Sequence, residues 1–159
     1  MALVPEARPK DDQMINFKRS GSGRQTLVFL HGWGGSWQSW TPVIDKLKSK
    51  FTIYALDLPG FGLSKLTKAY STKDYAADLV NFFKKEAIDK PILIGHSFGG
   101  QIAARIAIDA LYKLSGLVLV DAAVARNNSY STIFNITVAR LGKQLIQKTP
   151  MNNRDMNNE

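Results

Sequence analysis

The chain has no cysteine, and its 159 residues include only two histidines, His31 and His96. Without cysteine there is no disulfide, no thiolate metal site and no thiol nucleophile, which fits a reducing compartment. No apolar run approaches the about 20 residues needed to cross a bilayer. The first residues carry Pro5 and Pro9 but lack the apolar stretch of a secretory signal. A soluble, cytoplasmic protein is the expectation. Carboxylates are also scarce, 13 Asp and Glu against 21 Lys and Arg, for a net charge of +8. A basic surface can attract nucleic acid, anionic lipid or acidic proteins. Here Lys46, Lys48, Lys50, Lys84 and Lys85 fall between apolar residues, as on solvated helix faces. No nucleic-acid motif accompanies them, so no nucleic-acid partner is expected.

What is present is the composition of a folded domain. Hydrophobic residues make up 45% and charged residues 21%, enough for one core of ordinary size. The apolar pattern alternates between short runs and helical stripes. Strands are expected over 15–19 and 26–30, joined as a hairpin through Ser20-Gly21-Ser22-Gly23. A helix carrying Trp37, Trp40, Ile44 and Leu47 follows, then a strand over 51–56. A second helix bears Tyr75, Leu79, Phe82 and Phe83 and is capped near Ser71 or Thr72. A buried strand over 91–94, a helix over 99–111 and a buried strand over 116–120 complete the series. Strands apolar on both faces, alternating with helices, imply an α/β fold with a mostly parallel sheet flanked by helices. The expected organisation is a flexible lead-in over 1–12, a core over 13–125, a helical segment over 126–150 and a disordered tail over 151–159. The helical segment carries the stripe Phe134, Val138, Leu141 and Leu145.

The chemistry concentrates in three loops at strand ends. Gly95-His96-Ser97-Phe98-Gly99 is a G-x-S-x-G sequence between a buried strand and a helix, the setting of a serine nucleophile on a sharp turn. Such a turn puts the serine in a sparsely populated backbone region at a cost of about 1–3 kcal/mol, and Gly95 and Gly99 avoid clashes on either side. The N–H of Phe98, at the start of the following helix, can hold a developing oxyanion. His31-Gly32-Trp33-Gly34-Gly35 is a glycine-rich loop whose Trp33 N–H is the candidate second donor. It lacks the spacing of a phosphate-binding loop, and no cofactor or metal is expected. Asp57-Leu58-Pro59-Gly60-Phe61-Gly62-Leu63-Ser64 is the third loop, in which Asp57 is expected to organise the turn rather than to act in catalysis.

In this order the three loops closely resemble the α/β-hydrolase fold superfamily over roughly residues 15–123. They look most like its small serine esterases, the type that includes pimeloyl-carrier-protein methyl ester esterases and is related to C–C bond hydrolases. The resemblance implies Ser97 as nucleophile, Trp33 and Phe98 as oxyanion-hole residues, and His31 as a structural histidine beside that hole. His96 falls on the variable position of the elbow. The implied substrate is a small ester or acyl compound, attacked through an acyl-enzyme. Epoxide hydrolases and haloalkane dehalogenases resemble the same pattern but place an aspartate where Ser97 stands.

The resemblance also implies a triad acid and a histidine after a helical lid, and neither is recognisable here. The chain looks truncated at its C-terminal side: the N-terminal part of the fold plus the start of a lid, ending the sheet on an unpaired strand. Loss of the histidine from a serine triad lowers turnover by about 10⁶-fold, so a chain that is nearly inactive by itself is expected. His31 as base, a lysine as base and Asp121 as acid are weaker readings. A non-catalytic binding module on the same scaffold is the alternative, as is a C–C hydrolase, haloperoxidase or hydroxynitrile lyase reaction. The oligomeric state is not readable.

Overall fold

A computed structural model describes residues 14–122, all within one compact unit, Met1–Val124. The lead-in over 1–12, the helical segment over 126–150 with its Phe134 to Leu145 stripe, and the tail over 151–159 lie outside the described residues. The strands are β1 (Phe17–Ser20), β2 (Thr26–Leu30), β3 (Thr52–Leu56), β4 (Ile92–His96) and β5 (Gly116–Val120). The helices are α1 (Thr41–Leu47), α2 (Thr72–Lys85) and α3 (Phe98–Ile108), with a 3₁₀ turn at Trp37–Trp40 leading into α1. Among the described residues no helix is long and apolar enough to cross a membrane.

The sheet order is β1-β3-β2-β4-β5, parallel except for β1. This corrects the expected hairpin. β1 pairs antiparallel with β3, Phe17 opposite Leu56 and Ser20 opposite Ile53, so β3 lies between β1 and β2. The Gly21–Gly23 segment is not a tight hairpin turn. Gly21 (φ 71°) abuts the carbonyls of Lys48 and Phe51, and Gly23 abuts that of Lys50, leaving no room for side chains. The glycines let the chain step across the start of β3 at backbone contact.

Both faces of the sheet are covered, which is why β2 and β3 read as continuous apolar runs. Val28, Leu30, Tyr54 and Leu56 face α2 and α3, meeting Leu79, Phe83, Ile102 and Ile106. The alternate residues Leu27, Phe29, Ile53 and Ala55 meet Ile44, Trp37 and Trp40 on the other face. α2 begins where expected: Ser71 is its N-cap and forms a capping box with Asp74. β5 is only half-buried rather than buried, because among the described residues it pairs on one side alone. The first expected helix is a 3₁₀ turn plus a short α-helix, since Pro42 suits only the first turn of a helix.

Candidate active site

In a parallel sheet every strand delivers its C-terminal end to the same pole. β2 ends at His31, β3 at Asp57, β4 at Ser97 and β5 at Asp121, so the three loops singled out in the sequence meet there. Ser97 is the N-cap of α3, with φ 48° and ψ −111°, a region that a residue with a side chain rarely occupies. Its N–H donates to Val120 O at 2.9 Å and its own carbonyl accepts Gln101 N–H at 3.1 Å, so β5 and α3 hold the turn from both sides. A side chain on Gly95 would meet Gly99 O at 2.5 Å. One on Gly99 would meet the carbonyl oxygens of Leu30 and His31 at 2.6 Å. The two elbow glycines therefore permit backbone contact between β2, β4 and α3. The first N–H groups of α3, Phe98 included, have no intrahelical acceptor.

The Gly32–Gly35 loop is a turn closed by Gly35 N–H on Gly32 O at 3.1 Å, with Gly34 at φ 71° as a type II turn requires. Gly32 borders the elbow closely: a Cβ there would lie 2.8 Å from His96 Nδ1 and 3.4 Å from Ser97 Cβ. Trp33 is 74% exposed, its ring edge-on to Phe61 at 5.0 Å and to Phe98 at 5.2 Å.

His31 lies beneath this loop, fully buried, with both ring nitrogens engaged. Leu58 N–H donates to Nε2 at 3.0 Å, so Nε2 carries the lone pair. Nδ1 therefore holds the proton and donates to Gly32 O at 2.7 Å. Burial lowers the imidazole pKa, outweighing the Gly32 carbonyl and the nearby Asp57 carboxylate. A neutral ring with no free nitrogen is a structural element, and it leaves nothing to accept a proton from Ser97. Gly32 O is held by two donors, and in a trans peptide the following N–H points opposite to the carbonyl. The direction of Trp33 N–H is fixed in this way.

Asp57 is buried, and both of its carboxylate oxygens are engaged. Its Oδ1 accepts Trp37 N–H at 2.7 Å; its Oδ2 accepts Asn16 Nδ2 at 2.7 Å and Leu63 N–H at 3.0 Å. Ser64 Oγ donates to Asp57 O at 2.7 Å and accepts Asn16 N–H at 2.8 Å. Three donors compensate the buried charge. Asp121 is exposed, at φ 47°, just beyond the residue whose carbonyl holds Ser97.

Reading the sequence alone did not single out Phe61, which packs between His31 and Trp33, or Leu58, whose N–H selects the tautomer of His31. Nor did it find the cleft of about 400 Å³ lined by Gly32, Trp33, Ser39, Trp40, His96 and Val120. Trp40 Nε1 at its edge is buried with no acceptor among the described residues. A backbone N–H and a cleft between elements leave no signature in residue types. The aromatic in Pro59-Gly60-Phe61-Gly62 was the only available hint.

The sequence profile described as the alpha/beta hydrolase fold matches residues 25–145. Among curated relatives, the pimeloyl-[acyl-carrier protein] methyl ester esterase of Proteus mirabilis is 40% identical over 100 residues, 63% of this chain and 37% of that protein. The dihydrolipoyllysine-residue acetyltransferase component of the acetoin cleaving system of Cupriavidus necator is 36% identical over 112 residues, covering 70% of this chain and 30% of that protein. The chain thus spans about a third of the length of these relatives. A marine microorganism esterase superposes with a TM-score of 0.67 at 27% identity, over 81% of this chain and 50% of that one. The parallel sheet, the strained elbow and the matching profile lead to one assignment: this chain belongs to the α/β-hydrolase fold family.

Proposed function

We propose that the chain carries the nucleophile half of a serine-dependent hydrolase of carboxylic esters. In this reading Ser97 Oγ attacks the acyl carbon, and the N–H groups of Trp33 and Phe98 receive the developing oxyanion. Water then attacks the acyl-enzyme and releases the acid. The observation that carries the proposal is the backbone of Ser97. A strained serine at the head of a helix, bordered by a glycine loop whose peptide is pinned, is costly to build and suits acyl transfer. The exposed face of Trp33, with Phe61 and Phe98 behind it, suits an apolar acyl or aryl group.

The base is the missing reagent. His31 is committed to Leu58 and Gly32, and His96 belongs to the elbow itself. Turnover by this chain alone is accordingly expected to be slow, with an imidazole from beyond this sequence completing the reaction. A second reading is a binding module that keeps the scaffold without the chemistry. A fluorophosphonate probe separates them. Covalent labelling with imidazole added as the base, lost in Ser97→Ala, supports the hydrolase; no labelling of the folded chain even with imidazole supplied supports the binding module.

A further inference from the structure

We propose that the pole of the sheet opposite Ser97 is a docking surface for an anionic lipid bilayer. The parallel strands all start at this pole, and each is preceded by an exposed cation: Arg24 before β2, Lys50 before β3, Lys90 before β4 and Lys113 before β5. α2 ends there too, adding exposed Lys84 and Lys85. These connections form a continuous surface. Gln25 Nε2 reaches Lys90 O at 3.4 Å, Ser115 N–H donates to Pro91 O at 2.9 Å, and Tyr112 Oη donates to Ile88 O at 2.7 Å.

Lys84 and Lys85 are accounted for by the dipole of α2. Arg24, Lys90 and Lys113 cap no helix, and their alignment needs another reason. The carboxylates of this pole, Glu86 at the end of α2 together with Asp89 and Asp109, are outnumbered by its cations. Asp109 is held by Arg105 at 2.6 Å, and Asp89 lies 3.8 Å from Lys90 with both groups in solvent. Arg24, Lys50, Lys84, Lys85 and Lys113 have no carboxylate partner among the described residues.

Apolar residues beside these cations point to lipid. Ile108 (52% exposed) ends α3, and Leu111 (42% exposed) lies in the α3–β5 connection that also carries Lys113. Lysines around a few exposed aliphatic side chains match a headgroup layer over an acyl boundary. Single-stranded nucleic acid would call for exposed aromatic rings. The aromatics near this pole, Phe51 and Tyr112, are half-buried, and the Tyr112 hydroxyl is spent on Ile88. The surface is independent of the chemistry at Ser97.

The test is sedimentation of the full chain with phosphatidylcholine vesicles, with and without phosphatidylglycerol, at low salt. Binding is expected only with phosphatidylglycerol, to weaken with added salt, and to be unchanged in Ser97→Ala. Lys84→Gln and Lys113→Gln should each weaken it about fivefold. The pair Ile108→Ser with Leu111→Ser should weaken it at constant charge, and Lys65→Gln with Lys73→Gln, at the Ser97 pole, should not. No phosphatidylglycerol-dependent binding overturns the proposal. So does an equal loss in the Lys65 and Lys73 variant. Binding to RNA of the same strength, with no effect of the Ile108 and Leu111 pair, also overturns it, because the surface would then be a general polyanion site.

Discussion

His31 Nε2 accepts the N–H of Leu58 at 3.0 Å, and this one bond assigns the tautomer of a buried imidazole. It ties the third loop to the second: Leu58 follows Asp57, and the proton forced onto Nδ1 pins Gly32 O and thereby aims Trp33 N–H. Replacing His31 by Ala leaves the Leu58 N–H unsatisfied, at about 1–3 kcal/mol, and frees the Gly32–Trp33 peptide. The expected outcome is slower fluorophosphonate labelling of Ser97 in chain that is still folded by circular dichroism. Labelling at the wild-type rate would show that the loop holds its shape without the imidazole.

The same burial has a pH signature. The folded-state pKa of His31 lies below the ordinary value of 6.5. As pH falls below about 6.5 the unfolded chain binds the proton first. Stability should therefore be lost on acidification from that point until the lowered folded pKa is reached, with no contribution from this group above it. Urea unfolding at a series of pH values should show this slope in the wild type and a shallower one in His31→Gln.

Ser97 stands at φ 48° and ψ −111°, where glycine is at ease. Ser97→Gly should relieve strain of about 1–3 kcal/mol, partly offset by about 0.5–1 kcal/mol of added chain entropy in the unfolded state. A net gain in stability with complete loss of labelling is expected. A net loss in urea unfolding would mean that the elbow is not strained.

Gly99 touches the carbonyl oxygens of Leu30 and His31. Gly99→Ala should push α3 away from β2 and cost about 1–3 kcal/mol by overpacking. Gly34→Ala meets no neighbour and suffers only from its positive φ, so it should cost less than Gly99→Ala. Equal losses in thermal unfolding would contradict the role given to close approach at Gly99.

Asp57→Asn keeps the shape of a buried hub but removes its charge. Trp37 N–H, Asn16 Nδ2 and Leu63 N–H all donate to this carboxylate, and a carboxamide has one acceptor oxygen for three donors. A loss of about 1.5–3 kcal/mol in urea unfolding is expected. Ser97 labelling should fall less than in His31→Ala, because Asp57 does not touch the Gly32–Trp33 peptide directly.

Much of the fold was legible in the residues. Apolar runs in β2, β3 and β4, the helix start near Ser71, and Gly95 and Gly99 flanking Ser97 all act locally, so short windows carry them. The pairing of β1 was not legible. The choice between β2 and β3 as its neighbour depends on contacts of Gly21 and Gly23 with a connection some 30 positions later. The cleft and the role of Phe61 were hidden for the same reason.

The sequence by itself determined which residue types stand at the strand ends: a serine between glycines, a glycine loop with Trp33, a buried aspartate in a turn, and two histidines in all. These follow from periodicity and from the backbone freedom of glycine, which are properties of neighbours along the chain. Only the tertiary structure decided what those residues can do. It brought Gly32 against Ser97, closed both nitrogens of His31 with Leu58 and Gly32, and turned Asp57 toward Trp37 and Asn16. A proton position and a hydrogen-bond direction depend on atoms far apart in sequence, and only the packed parallel sheet sets them side by side.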